Sequence, residues 1–114
     1  MPELRTPQRN VHEAILKLIR LPDCPSAHAL DRARKIADLI EREHSPTPFV
    51  FPTDIGGIQF EWKATNRELD LEILPDSNRL AYLTIVDGQP VTEGETAEDD
   101  ELQVIALLNW LRWR

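Results

Sequence analysis

The fold of this chain is decided by residues 56–86, which read GGIQFEWKATNRELDLEILPDSNRLAYLTIV. Apolar side chains alternate with charged or polar ones through the segments 58–64 and 68–74. Successive side chains of a strand point to opposite faces of its sheet. The alternation therefore predicts two antiparallel strands, each with one apolar and one polar face.

The turn between these two strands sets which side chains face each other. A two-residue turn at Asn66 and Arg67 suits the sequence, because Asn tolerates the positive φ that such turns need. In this register Glu61 faces Glu72 on the polar side of the sheet. Like charges directly opposite each other weaken a sheet, so a basic group from a partner would stabilise this pair.

The third strand, at residues 80–86, is apolar on both faces. Leu80 and Tyr82 point to one side, and Leu83 and Ile85 point to the other. A strand of this kind is usually covered on both sides. The pattern leaves open which of the two faces meets the helices.

Three helices are predicted around this sheet. Amphipathic patterns indicate one helix at about 10–21 and a second from Ser26, a good N-cap, to about residue 43. The last helix, at about 97–113, begins at a capping box formed by Thr96 and Asp99.

Two further strands complete the predicted fold. Residues 49–51 form a strand bounded by prolines, and Asp87-Gly88 is a strong hairpin signal into a short edge strand near Val91. The order is then α-α-β-β-β-β-β-α. We expect a single α+β domain over residues 1–114, with two N-terminal helices and one C-terminal helix on an antiparallel meander of four to five strands.

The last helix is apolar around most of its circumference, as is typical of a helix that is buried on both sides or docks a partner. Aromatic side chains concentrate interface energy, so we expect one of its two tryptophans in the core and the other at an interface. The predicted partner-binding residues are Trp110, Trp113, Leu107, Leu111, Tyr82, Glu61 and Glu72.

The composition is that of an ordinary globular protein, with 41% hydrophobic and 29% charged residues. No apolar run approaches the ~18–20 residues that a membrane span needs. Charged residues near the start, at Glu3, Arg5 and Arg9, do not suit a signal peptide. The single cysteine, Cys24, fits a reducing compartment. We therefore expect a cytoplasmic protein that does not contact a membrane.

The negative charge is concentrated in the second part of the chain. Residues 45–114 hold 13 Asp and Glu against 5 Lys and Arg, whereas residues 1–44 hold 7 against 8, which gives the net charge of −7. Phosphate neutralisation supplies most of the affinity for nucleic acids, so we expect no nucleic-acid binding. The charge suits a protein partner with a basic surface.

Three landmarks carry a resemblance to a group of short, mostly uncharacterised bacterial proteins. They are the Pro25-Ser26 helix start, the Pro48–Pro52 strand and the Gly-Gly-x-Gln-x-Glu-Trp strand at residues 56–62. Many members have a Trp- and Gly-containing stretch where this chain has Asp23-Cys24. The resemblance covers about residues 21–86 and implies bacterial origin and fold, with no established activity. Proteins of this group look like accessory or antidote partners of a neighbouring gene product.

An alternative function comes from Asp54, Glu61 and Lys63, which resemble the D…(D/E)-x-K arrangement of metal-dependent nucleases. Two carboxylates would hold Mg²⁺, and the lysine would help to position a nucleophilic water. Glu72, opposite Glu61, would add a further oxygen ligand. Alternating charges on the wet face of a sheet produce Glu-x-Lys without any catalytic role, and we favour that interpretation.

We expect no metal or cofactor, because the three histidines lack the i, i+4 spacing of a helical metal pair and no phosphate-binding motif is present. The favoured prediction is a non-enzymatic protein-interaction domain, an antitoxin-like or accessory subunit of a bacterial toxin or defence system. Its partner would be another protein or a second copy of the chain.

Overall fold

The structure, a computed structural model, describes residues 11–112. Within that range the elements follow the predicted order, and each strand pairs antiparallel with the next in the sheet order β1-β2-β3-β4-β5. The predicted α+β meander is therefore confirmed. The elements are α1 (Val11–Leu18), α2 (Ala27–Arg42), β1 (Phe49–Pro52), β2 (Ile58–Ala64), β3 (Arg67–Ile73), β4 (Arg79–Val86), β5 (Gln89–Ala97) and α3 (Glu101–Arg112).

Local signals explain several element boundaries. The hydroxyl of Ser26 caps α2 by accepting a hydrogen bond from the Ala29 N–H at 3.1 Å. Asp87 and Gly88 have φ of 51° and 79°, the positive values that a tight hairpin between β4 and β5 requires. Among the described residues, no helix is long and apolar enough to cross a membrane.

The core lies on one face of the sheet. Packed against that face, α1, α2 and α3 contribute to a single apolar cluster with the inward side chains of the strands. Ala29, Ala33 and Ala37 of α2 are fully buried, because small side chains let the helix approach its neighbours closely. The buried apolar residues of the sheet are Ile58, Phe60, Trp62, Leu69, Leu71, Ile73 and Leu80.

The turn between β2 and β3 lies one residue earlier than predicted. Thr65 and Asn66 form it, with Thr65 at φ 54°, and Ala64 pairs with Arg67. Arg67 is held in the strand because its guanidinium lies 4.9 Å from the centre of the Trp110 ring.

The earlier turn shifts the pairing of β2 with β3 by two residues. Glu61 therefore faces Asp70, and Glu72 faces Gln59, in place of the predicted Glu61–Glu72 pair. A shift of two residues keeps every side chain on its predicted face, because the side-chain period of a strand is two.

The predicted start of the last helix is wrong. Instead, β5 extends to Ala97, and α3 begins only after Asp100, whose Oδ1 accepts a hydrogen bond from the Gln103 N–H at 3.1 Å. Thr96 belongs to β5 and donates its hydroxyl to Asp100 Oδ2 at 3.2 Å. The cap is therefore Asp100 and not the predicted pair of Thr96 and Asp99.

A buried carboxylate fastens the loop between β5 and α3 to helix α2. The Glu98 side chain is 3% exposed, with Oε2 at 2.9 Å from His28 Nε2 and Oε1 at 2.7 Å from Arg32 Nε. The contact between Arg32 and Glu98 is an ion pair without a hydrogen bond, because the Arg32 Nε N–H has no acceptor in hydrogen-bonding geometry. The Glu98 N–H donates to the Asn78 carbonyl at 2.9 Å. This loop thus holds the end of β5 in place.

Candidate functional site: the open face of the sheet

The sheet face that points away from the helices is called here the open face. Directly paired residues of neighbouring strands share a face, so the register gives its members. Within residues 11–112, no helix covers it, because all three contribute to the core on the other side. The open face consists of Phe49, Phe51, Gln59, Glu61, Lys63, Glu68, Asp70, Glu72, Arg79, Ala81, Leu83, Ile85, Pro90, Glu93, Glu95 and Ala97.

An apolar strip runs along β4 on the open face and consists of Ala81, Leu83 and Ile85, all of them half-buried. On the other side of the strand, Leu80 and Thr84 are buried against the core. Strand β4 is therefore covered by helices on one side only, and the expectation of cover on both sides is wrong for the described residues. The Leu80 side meets the helices, and no helix within residues 11–112 covers the apolar strip.

Carboxylates flank the apolar strip on both sides. Glu68, Asp70 and Glu72 stand on β3, and Glu93 and Glu95 stand on β5. Neighbouring strands are about 4.8 Å apart, so these two acidic columns lie about 10 Å from each other. The strip is the apolar floor between them.

The charges of the open face do not balance. Six of its residues are acidic: the five in the two columns and Glu61. Only Lys63 and Arg79 are basic, so the formal charge of the face is −4. Arg79 pairs with Glu95, with 3.4 Å between Nε and Oε1. The face therefore attracts cations.

Asp70 has the least favourable environment of these carboxylates. It faces Glu61 on β2 and Leu83 on β4, and its Oδ1 atom is buried without a hydrogen-bond partner. Burial raises the pKa of Asp70. The negative charges of Glu61 and Glu68 raise this pKa further, whereas the positive charge of Lys63 lowers it. A cation brought to this position would relieve the unfavourable interactions.

A depression with a volume of about 450 Å³ lies in the open face. Its lining includes Asp70 and Glu72 of β3, Leu83 of β4, and Glu93 and Glu95 of β5. The apolar strip and both acidic columns thus contribute to one concave surface.

The structure does not place Leu107 and Leu111 where a partner can reach them. Only 7% of Leu107 and 2% of Leu111 are exposed, because α3 turns the side that also carries Val104 and Leu108 towards the core. The opposite side of α3 is in solvent, with Leu102 79% exposed. Leu107 and Leu111 are therefore core residues in this structure.

Trp110 is half-buried and takes part in contacts within the chain. The Arg67 guanidinium lies over its ring, and Arg67 Nη1 donates a hydrogen bond to the Trp110 carbonyl. Such a cation–π contact stabilises the end of α3 against the start of β3. Trp113, the other predicted interface residue, lies outside the described residues.

Tyr82 lies on the core side of β4 and not on the open face. Its ring occupies the space above Gly94 of β5, where an added Cβ would lie 2.8 Å from the tyrosine hydroxyl. Of the predicted partner-binding residues, Glu61 and Glu72 do lie on the open face.

The three residues of the nuclease alternative are not brought together. Asp54 lies in the loop that connects β1 to β2, and Glu61 is three residues, or about 10 Å, beyond Ile58 at the start of β2. Lys63 lies further still from Asp54 along that strand. Within residues 11–112, no group of three close ligand atoms forms from Asp54, Glu61 and Glu72, the three carboxylates of this alternative.

One group of potential metal ligands occurs within residues 11–112, on helices α1 and α2. It consists of His12, Asp38 and Glu41, with 3.0 Å between His12 Nε2 and Asp38 Oδ1. Asp38 and Glu41 are exposed. The group is remote from the open face and has the character of a surface ion pair.

Sequence reasoning missed Asp70, Leu83, Glu93 and Glu95 as site residues. A signal for the last two was present, because Thr-Glu-Gly-Glu-Thr at residues 92–96 alternates with the period of a strand. Asp70 and Leu83 become recognisable only when the register is known.

No family model, no curated protein and no solved structure matches this chain. The resemblance to short bacterial proteins stays a prediction, and function has to be inferred from the open face itself.

Proposed function

We propose that this chain is a non-enzymatic protein-interaction domain that binds a protein with a basic surface through the open face. One observation carries the proposal: an apolar strip lies between two acidic columns on a sheet face that no described helix covers. Protein interfaces commonly combine an apolar centre with a polar, solvent-accessible rim, and the open face has that arrangement.

The apolar strip would supply most of the binding free energy. Removal of apolar surface from water contributes roughly 25 cal/mol per Å², and the central, desolvated residues of an interface dominate its affinity. Leu83 stands at the middle of the strip. The acidic columns would contribute mainly to association rate and partner choice.

The cellular role that fits this surface is that of an antitoxin-like or accessory subunit of a bacterial toxin or defence system, acting in the cytoplasm. Such a subunit would mask a basic surface of its partner. The negative charge of the open face and the resemblance to accessory or antidote proteins support this role. A second copy of the chain is a poorer partner, because two open faces would oppose carboxylates with carboxylates.

Co-expression with the product of the adjacent gene tests the proposal. We expect the two proteins to purify as a complex, and Leu83→Ser to weaken that complex at least about tenfold, as loss of a central anchor does. Affinity measured by isothermal titration calorimetry gives the comparison. Leu102→Ser is the matched control, because it makes the same change at a residue that is 79% exposed on α3.

Three outcomes would contradict the proposal. The first is a clean monomer that binds no neighbouring product, and the second is a complex that Leu83→Ser leaves unchanged while both variants remain folded. The third is Mg²⁺-dependent cleavage of DNA or RNA that is lost in Lys63→Ala, which would support the nuclease alternative.

A further inference from the structure

We infer that the segment seated on the open face is a basic amphipathic α-helix of the partner, lying along β4. This inference rests on the proposed function and specifies the kind of partner that the face accepts. Three features of the open face support this inference: the hydrogen bonding of its strand backbone, its dimensions and its charge.

Backbone hydrogen bonding favours a helix over an extended segment. The backbone groups of β4 are already used, since both β3 and β5 pair with it. An extended segment laid on the open face would therefore bury unpaired N–H and C=O groups, which is costly. A helix satisfies its backbone internally and can lie on the face without that cost.

The dimensions of the open face fit a helix. The two acidic columns are about 10 Å apart, and a helix with its side chains is about 10–12 Å across. From Ala81 to Ile85 the apolar strip spans about 13 Å, which corresponds to about two and a half helical turns. Apolar side chains spaced i, i+3 or i+4, and i+7 would follow the strip along its length.

The charges specify both flanks of that helix. Lys or Arg side chains on one side would reach Asp70 and Glu72, and those on the other side would reach Glu93 and Glu95. The aliphatic stems of long basic side chains can pack on the apolar strip while their charged groups extend to the acidic columns. An arginine suits Asp70 best, because a planar guanidinium can bind a carboxylate through two parallel hydrogen bonds.

Two synthetic peptides of identical composition test this inference. One has leucines at helical spacing with lysine and arginine on both flanks, and the other alternates leucine with the same basic residues, as a strand would. We expect the helical-pattern peptide to bind at least about tenfold more tightly, to gain helicity by circular dichroism, and to perturb amide resonances of β3, β4 and β5. The binding should be lost in Leu83→Lys and kept in the control Leu102→Lys.

Two results would overturn the inference. If the alternating peptide binds as tightly or more tightly, or if the perturbed resonances lie only along the edge of β5, the occupant is extended. If neither peptide binds the open face, the helical occupant is also wrong. The proposed function is judged separately by the complex with the neighbouring product and its sensitivity to Leu83→Ser, so the two failures can be told apart.

Discussion

At the scale of single residues, Asp70 links the stability of the domain to its proposed binding. Burial and the neighbouring carboxylates Glu61 and Glu68 raise the pKa of Asp70 above its ordinary value of 3.8. A raised pKa means that the folded chain binds this proton more readily than the unfolded chain does. The free energy of unfolding therefore falls as the pH rises from the ordinary value through the raised one.

Asp70→Asn should stabilise the free protein at neutral pH. The substitution removes the charge but keeps the shape, so we expect the free energy of unfolding to rise by a few tenths to about 1 kcal/mol at about pH 7, the scale of a cross-strand like-charge pair. The advantage should disappear at about pH 3, where Asp70 is protonated in the wild-type chain. Urea denaturation at the two pH values measures the difference.

Glu93→Gln is the control for this prediction, because Glu93 is an exposed carboxylate of the same face. Its effect on stability should stay within about 0.5 kcal/mol. A wild-type chain that is more stable than Asp70→Asn at neutral pH would contradict the prediction. A gain in stability combined with weaker partner binding would show that this carboxylate serves binding at the expense of the fold.

At the scale of elements, β5 depends on contacts that its own sequence does not suggest. Its segment contains Pro90, Gly94 and several acids, and such residues are poor strand formers. Pairing with β4 holds it in place. The hydroxyls of Thr84 and Thr92 hydrogen-bond each other, and Tyr82 packs over Gly94. This strand then supplies the second acidic column of the open face.

The buried Glu98 side chain should be the main anchor of the end of β5. Glu98→Ala would leave Arg32 and His28 without their carboxylate, and we expect it to lower the free energy of unfolding by about 1–3 kcal/mol. Partial exposure of both basic side chains keeps the cost below that of a fully buried pair. Chemical denaturation gives the value, and hydrogen exchange should show reduced protection in β5.

The exposed neighbour Asp99 offers a control on the same loop. Asp99→Ala should change stability by no more than about 0.5 kcal/mol. Equal losses in the two variants would mean that the loop is sensitive to any change and that Glu98 has no special role as an anchor.

The same elements show how far the sequence predicts this structure. Alternation in β2 and β3 assigns every side chain to its correct face, and the element order follows from helical and strand periodicity. The predicted register of β2 with β3 was wrong by two residues, because Thr65, a β-branched residue, takes the positive φ that turn propensities assign to Asn66. The length of β5 was missed because its pairing with β4 outweighs its poor local propensity.

The candidate site was less predictable than the fold. Of the residues predicted to bind a partner, Glu61 and Glu72 lie on the open face, whereas Leu107 and Leu111 lie in the core. The reason is physical: a helix that is apolar nearly all round does not reveal which side faces the sheet. Likewise, β4 has two apolar faces, and only the packing of the helices decides that Leu83 lies on the open one.

At the scale of the whole molecule, the sheet face opposite the helices carries more than half of the net negative charge. The open face carries a formal charge of −4 out of the total of −7. A concentrated charge of one sign raises the association rate of an oppositely charged partner and is screened by salt. The proposed binding should therefore depend on ionic strength.

Partner binding should consequently weaken as salt increases. Raising the NaCl concentration from about 50 mM to about 500 mM shortens the Debye length roughly threefold, and we expect the association rate for the adjacent gene product to fall about tenfold or more. The dissociation rate should change less, because the apolar strip holds the formed complex together. Surface plasmon resonance at several salt concentrations measures both rates.

A pair of double variants distinguishes the charge of the open face from that of the whole molecule. Glu93→Gln with Glu95→Gln removes two charges from the face, whereas Asp23→Asn with Asp76→Asn removes two exposed charges elsewhere. Both raise the net charge from −7 to −5. The first pair should slow association and flatten its salt dependence, and the second should leave both close to wild type. Equal effects of the two pairs would mean that overall charge, and not the acidic columns, attracts the partner.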